Sequence, residues 1–242
     1  MEIRMGKRMK IAVSTTCSDG YVIFLEHFIK SILKNNPRFG KDFIVFCDPR
    51  LSINNRNKLK ELYRHFKFHD VQYHVYQNHR KAHMKYYSIE SFSLTKYDRV
   101  IYWGADMLCI GKLGSLWTTA KKVTGISMTK EKRRSDNDIP YNNGGMIIGK
   151  KYLNLDTYRK LLGYDNMHPP YNLTDQKLYN RFFAGKIKEI NMKFNTLTSE
   201  TEFIPFEKIL ILHYIHKPTV KHSITQLNTY DNRLYPLWRE YD

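Results

Sequence analysis

The sequence predicts an α/β fold, a mostly parallel central sheet flanked by helices. Short apolar runs of strand character alternate with longer segments whose apolar residues recur at helical spacing, which is the pattern of successive βαβ units. Polar turns, several carrying glycine, stand where the apolar runs end, as they do at the carboxyl edge of such a sheet. The chain of 242 residues shows neither an internal repeat nor a low-complexity linker, so one domain with a large core is expected over 1–242, its body at 9–218 and an aromatic tail at 219–242.

In chain order, Lys10 to Ser14 reads as the first buried strand, opening into the polar turn Thr15–Tyr21. Val22 to Leu33 places Phe24, Leu25, Phe28, Ile29, Ile32 and Leu33 on one helical face and stops near Asn35-Asn36-Pro37. Phe43 to Phe46 is a second strand ended by Asp48-Pro49, Ile53 to Phe66 a basic amphipathic helix, and Val71 to Tyr76 a third strand. Lys85 to Leu94 is helical and delivers the chain to a short buried strand, Val100 to Trp103. The acidic turn Gly104-Ala105-Asp106 follows, then an apolar run from Met107 to Ile110. Further on, Val123 to Met128 reads as a strand, and Lys130 to Asp138 carries too much charge for anything but a surface loop. Tyr141 to Ile148 turns on its glycines into a buried strand. Leu153–Leu162 and Asp175–Phe183 are helical, Ile209–His213 is a last strand that carries a histidine out of the sheet, and Leu234–Tyr241 packs as a final helix.

Composition narrows the setting. Forty Lys+Arg against 23 Asp+Glu give a formal charge of +17, which favours polyanionic partners or else a merely solvated basic surface. Three widely spaced cysteines (Cys17, Cys47, Cys109) have neither metal nor redox spacing, and suit a reducing cytosol. No apolar run approaches the roughly 18–20 residues that span a bilayer, and the basic first ten residues lack the apolar stretch of a secretion signal, so a cytoplasmic location is expected, with peripheral membrane contact as its one elaboration.

Ligands of open α/β sheets bind beyond the carboxyl ends of the strands. The strand exits at 15–21, 104–106, 142–145 and 213–217 bring a carboxylate, an imidazole and a lysine to that edge, a set suited to a metal-bound diphosphate. Each also has an ordinary alternative: Asp106 as a turn cap, His213 as a satisfied strand histidine, Lys217 as a solvated cation.

These stretches resemble, in the same order along the chain, the glycogenin-like glycosyltransferases of family 8. Leu94–Trp117 is similar to the segment that carries the family's metal-binding Asp-x-Asp, with Asp106 as its second acid. Val13–Tyr21 resembles the loop that cradles uracil and ribose, which puts Thr15, Cys17, Ser18 and Tyr21 at nucleotide-contacting positions. Tyr141–Gly144 is similar to the Phe-Asn-Ser-Gly turn beside the donor sugar and points to Asn142 and Gly144. Asp175–Phe183 resembles the Asp-Gln-x-x-Leu-Asn helix whose first two residues lie at the anomeric carbon, so Asp175 and Gln176 are the catalytic candidates. Phe194-Asn195 resembles the Tyr-Asn that follows, and His213–Pro218 the segment that supplies a His metal ligand and a Lys on the diphosphate, here Lys217.

The resemblance implies a Rossmann-like GT-A domain that moves a hexose from a nucleotide-sugar, expected to be a UDP-sugar, with retention of configuration. Mn²⁺ or Mg²⁺ would sit on Asp106 and His213, and Ala105 and Lys85 would join the donor contacts. The acceptor is expected to be a glycan or an anionic one such as a glycolipid or wall polymer. Alternatives are an inactive GT-A-fold protein holding an anionic polymer, or transfer to modified DNA bases through Lys121–Lys122 and Lys130–Arg134. The chain departs from the family's pattern in four places. Gly104 stands where the first Asp belongs. The His-to-Lys spacing is short and lacks its glycine. Lys85 lies about a turn early for the basic residue before the Asp strand. Glu131 matches only loosely an acid that orients sugar hydroxyls.

Overall fold

The computed structural model describes residues 9–72, 74–76, 83–133, 139–167, 174–215, 217–219 and 221–242. Its elements run β1 (Ile11–Cys17), α1 (Val22–Asn35), β2 (Phe43–Cys47), α2 (Ile53–Leu62), β3 (Phe66–Asp70) and α3 (His83–Tyr86). After a 3-10 stretch (Tyr87–Ser93) come β4 (Arg99–Trp103), β5 (Met107–Cys109), α4 (Gly114–Lys122), β6 (Ile126–Lys130) and β7 (Tyr141–Gly149). The chain continues as α5 (Leu155–Met167), α6 (Asp175–Phe182), β8 (Ile187–Ile190), β9 (Thr196–Leu197), β10 (Ile211–His213), α7 (Lys221–Tyr230) and α8 (Leu234–Arg239).

Seven strands form the central sheet in the order β3-β2-β1-β4-β7-β6-β8. β7 alone runs antiparallel to its neighbours; the remaining pairings are parallel. The order reverses at β1, which has β2 on one side and β4 on the other, so the crevice beyond Cys17 and Trp103 is the switch point at which such sheets bind ligands. A second, three-stranded sheet, β5-β10-β9, stands beside this crevice and pairs Met107 with His213.

Burial on both faces explains the near-continuous apolar strands. Alternate residues separate into two cores: Val13, Val45, Ile101 and Trp103 face one, Ala12, Ile44, Val100 and Tyr102 the other. α1 covers the first face, with Phe28 edge-on to Trp103 at 5.3 Å, and α8 closes over it through Trp238 against Phe24 at 5.3 Å. Each such fully buried side chain contributes roughly 1.5–3 kcal/mol relative to exposure. The second face is covered by the 3-10 stretch and α6, where Phe92 stacks on Tyr179 and Phe183. The aromatic tail is therefore the helix that the sequence suggests.

Several boundaries differ from the sequence reading. β1 continues three residues past Ser14 to Cys17. The third strand is Phe66–Asp70, not Val71–Tyr76: α2 stops at Leu62, and Phe66 pairs with Phe43, which leaves Lys67 and Asp70 on an edge strand. The periodicity did not reveal α4, β8 or α7. Of the charged loop, Lys130 ends β6, and residues 134–138 lie outside the described residues, as does position 73 of the misplaced strand. Among the described residues no helix is long and apolar enough to cross a membrane.

Candidate active site

The crevice at the switch point is a cleft of about 280 Å³. Its walls carry nine of the residues singled out in the sequence: Tyr21, Lys85, Ala105, Asp106, Asn142, Gly144, Asp175, Gln176 and His213. They come from six separate segments, which only the fold brings together. Lys217 stands at the rim with its Nζ 4.5 Å from the centroid of the Tyr21 ring. Thr15 and Cys17 are placed differently. Both are fully buried, and Thr16 between them lines the cleft with Tyr102. Because β1 extends to Cys17, strand alternation turns the odd positions into the core and the even ones to the opposite face. Burial also pushes the Cys17 thiol far above its ordinary range, aided by Cys47 and the nearby acids, so it is an inert core group. Ser18 is buried and outside the cleft wall. A larger recess of about 580 Å³, beside Tyr141, Tyr164 and Arg181, carries no carboxylate among the described residues.

One end of the cleft is an Asp–His pair. Asp106 Oδ1 lies 3.5 Å from His213 Nε2, and both side chains are partly open to the cleft. Their strands hold them: Met107 pairs with His213, and the Tyr214 N–H donates to the Asp106 carbonyl at 2.8 Å. Asn195 fixes the imidazole. Its Nδ2 donates to Asn142 Oδ1 and Thr129 Oγ1, both at 2.9 Å, so its Oδ1 is left to accept from His213 Nδ1 at 3.1 Å. With Nδ1 held by Asn195, the ring turns Nε2 toward Asp106. Burial works against the Asp106 charge, but His213 and then Lys217 outweigh it and hold the carboxyl below its usual range.

That pair offers one oxygen and one nitrogen to a divalent cation. Among the described residues no group of three or more His, Cys, Asp or Glu converges. A Cβ at Gly104 would lie 2.7 Å from Asp106 Oδ1 and 3.8 Å from His213 Nε2, so a side chain there would enter the same space, and the glycine leaves it open. The residues thus fit an ion that completes its oxygen shell from a ligand's phosphates and water, as Mg²⁺ and Mn²⁺ commonly do.

The other end is a carboxylate–amide cluster. Thr174 caps α6 through the Lys177 N–H, which presents Asp175 and Gln176 at the first turn. Asn143 Nδ2 donates to Asp175 Oδ2 at 2.5 Å. Glu131 Oε1 accepts from both Asn142 Nδ2 and Gln176 Nε2 at 2.8 Å. Burial raises the Asp175 pKa, only partly offset by Asn143 and Lys85. The cleft therefore holds two carboxylates driven in opposite directions, which is how sites separate a charge-stabilising acid from one near the reacting centre. Asn180 clamps the start of β7, its Nδ2 donating to the Tyr141 carbonyl at 2.7 Å and its Oδ1 accepting the Tyr141 N–H at 3.0 Å. Sequence reasoning passed over Thr16, Tyr102 and Asn143. The Asn142-Asn143 doublet was the available signal for the last: both line the cleft, Asn142 bonded to Glu131 and Asn143 to Asp175.

The family model for glycosyl transferase family 8 matches residues 12–221. No curated protein matches the sequence. Among solved structures, the galactosyltransferase LgtC, in complex with donor and acceptor sugar analogs, superposes with a TM-score of 0.72 at 18% identity, covering 96% of this chain and 100% of that one. GlyE of Streptococcus pneumoniae TIGR4 gives 0.73 at 18% identity, covering 96% of this chain and 60% of its own. A glycosyltransferase involved in glycosylation of the major capsid of PBCV-1 gives 0.55 at 11% identity over 92% of this chain and 99% of that one. At such identities the structural likeness establishes the GT-A arrangement of the sheet.

Proposed function

The chain belongs to glycosyl transferase family 8 and is a glycosyltransferase, and from that premise we propose that it transfers a hexose from a UDP-sugar to a glycan acceptor with retention of configuration. The observation that carries this reading is the placing of an Asp–His pair and an Asp–Gln pair in one cleft at the switch point of the sheet. The first end suits a diphosphate and the second a sugar.

Asp106 and His213 would hold the divalent cation, whose chemistry when bound is Lewis-acid stabilisation of the departing diphosphate. Lys217, near Asp106, and Lys85, in the cleft lining, supply positive charge where negative charge grows as the glycosidic bond to the nucleotide breaks. Tyr21, Thr16 and Tyr102 line the cleft where the nucleoside would lie. Gln176 commits its amide nitrogen to Glu131, which leaves its carbonyl oxygen for the substrate. Asp175, tied to Asn143, stands beside it with a carboxyl that retains its proton more readily than an exposed one. This pair supports the electron-deficient anomeric carbon during same-face attack, with Gln176 as the positioned oxygen.

Thermal unfolding with UDP tests the donor site. At about a hundred times its dissociation constant, UDP adds roughly 2.7 kcal/mol of stability. We expect the shift to be larger with Mn²⁺ than in EDTA, because Asp106 and His213 share the ion with the phosphates. No shift with any nucleoside diphosphate, metal present, would refute the proposal.

A further inference from the structure

The 3-10 stretch Thr198–Phe203, which follows β9, ends in an aromatic side chain that the fold leaves outside its core. Phe203 is 48% exposed, more than any other Phe, Tyr or Trp among the described residues. The Arg133 guanidinium lies 5.9 Å from the Phe203 ring centroid and 6.0 Å from that of Tyr230. It also donates to Glu202 Oε1 at 2.8 Å, with both partners half exposed. An aromatic face is thus edged by a fixed set of donors and acceptors.

This group is built into the site from both sides. Arg133 follows two residues after Glu131, which accepts from Gln176. Glu200, itself 3% exposed, takes the backbone N–H groups of Lys132 and Arg133 on one oxygen at 2.6 and 2.9 Å. The 3-10 stretch that carries Glu200 and Phe203 directly follows β9, which pairs with the His213 strand. The platform therefore keeps its position relative to both ends of the cleft, as a rigidly held subsite requires.

We propose that Phe203, Arg133 and Glu202 form an acceptor subsite that binds a neutral sugar ring of the acceptor glycan, one unit beyond the sugar that is glycosylated. This rests on the donor-site reading given above. A pyranose has an apolar C–H face that lies on an aromatic ring and hydroxyls that pair with a guanidinium and a carboxylate. Glu202 compensates the Arg133 charge, so the platform recognises hydroxyls rather than an anion. A single exposed ring is too small for a stable protein interface, which needs on the order of 1,000 Å².

The test is saccharide binding by saturation-transfer NMR, in the presence of UDP and Mn²⁺. The probes are maltose, cellobiose, lactose and a glucuronate-containing disaccharide. We expect the unmodified chain to bind at least one neutral disaccharide. Phe203→Ala should weaken that binding about tenfold, the scale of one aromatic contact. Phe203→Trp should restore it, and Arg133→Ala should weaken it too, with UDP affinity by calorimetry the same in all three. If no neutral disaccharide binds, if only the acidic one binds, or if Phe203→Ala leaves the affinity unchanged while UDP still binds, the subsite is refuted alone. It is likewise refuted if the unmodified chain sediments as a dimer that Phe203→Ala splits. Failure of the unmodified chain to bind UDP refutes the donor site on which it rests.

Discussion

Gly144→Ala is the smallest change that should disable the proposed site. A Cβ at this position would lie 2.2 Å from His213 Cε1, 2.6 Å from Nδ1 and 2.9 Å from Asn142 Oδ1. Ordinary contact begins near 3.4 Å, so the nearest pair is about 1.2 Å too close. Gly144 itself cannot yield, because its N–H is bound to Asn142 Oδ1 at 2.8 Å and its carbonyl accepts the Gly104 N–H at 2.9 Å. The imidazole must move by about an ångström, losing Asn195 Oδ1 and changing its approach to Asp106. Overpacking of this kind costs about 1–3 kcal/mol of stability, or a melting shift of roughly 2–12 °C for a chain of this size. A misplacement of about 1 Å in the site costs on the order of 10²-fold in rate. Gly163→Ala is the matching control: it lies within α5, nothing stands within 4 Å of its added carbon, and helix propensity favours it by up to about 1 kcal/mol. Donor hydrolysis, UDP affinity by calorimetry and melting temperature should be read for both. Gly144→Ala that retains the rate and UDP affinity of the unmodified chain would show that the fixed His213 geometry is not what the site needs.

Two further predictions use groups away from the cleft chemistry. Burial raises the Glu90 pKa, partly offset by hydrogen bonds from Tyr76 and Tyr158; the native state then holds this proton longer than the unfolded state, and stability falls as pH rises from the unfolded value through the folded one. Glu90→Gln keeps an acceptor for both hydroxyls and removes that loss, so its melting advantage over the unmodified chain should grow between pH 4 and 7 in calorimetry, and a flat or declining difference would reject the assignment. If the +17 charge guides an anionic part of the acceptor, acceptor KM should climb between about 0.05 and 0.2 M salt while donor KM moves little. Neutralising the exposed Lys121, Lys122, Lys130 and Lys132 should reproduce the high-salt behaviour, and equal salt sensitivity of both substrates would leave the charge as composition alone.

What could be read from the sequence depended on how much of each signal was local. The strands of the sheet's centre are apolar on both faces, so Phe43–Cys47 and Arg99–Trp103 were legible within a residue or so. The edge strand Phe66–Asp70 alternates Phe66 and Phe68 with Lys67 and His69, and its first residue completed the apolar spacing of the helix before it. The two periods overlap there, and only the pairing with β2 decides between them. β9, two residues long, is too short to show any period, whereas the apolar run Ile209–His213 revealed β10 with its histidine, starting two residues early. The same logic governs the nucleotide loop. A strand ending at Ser14 would leave Thr15 and Cys17 free to reach a ligand. Three more residues of pairing with β2 commit both to the core and make Thr16 the cleft residue. Resemblance points to a loop that does reach the cleft, but the parity of a strand decides which of its side chains faces that cleft, and parity depends on where hydrogen bonding to the neighbour stops. Asn195 shows the complementary limit. Its role lies in three bonds to Thr129, Asn142 and His213, which are 66, 53 and 18 residues away in the chain, and no local pattern records such a network.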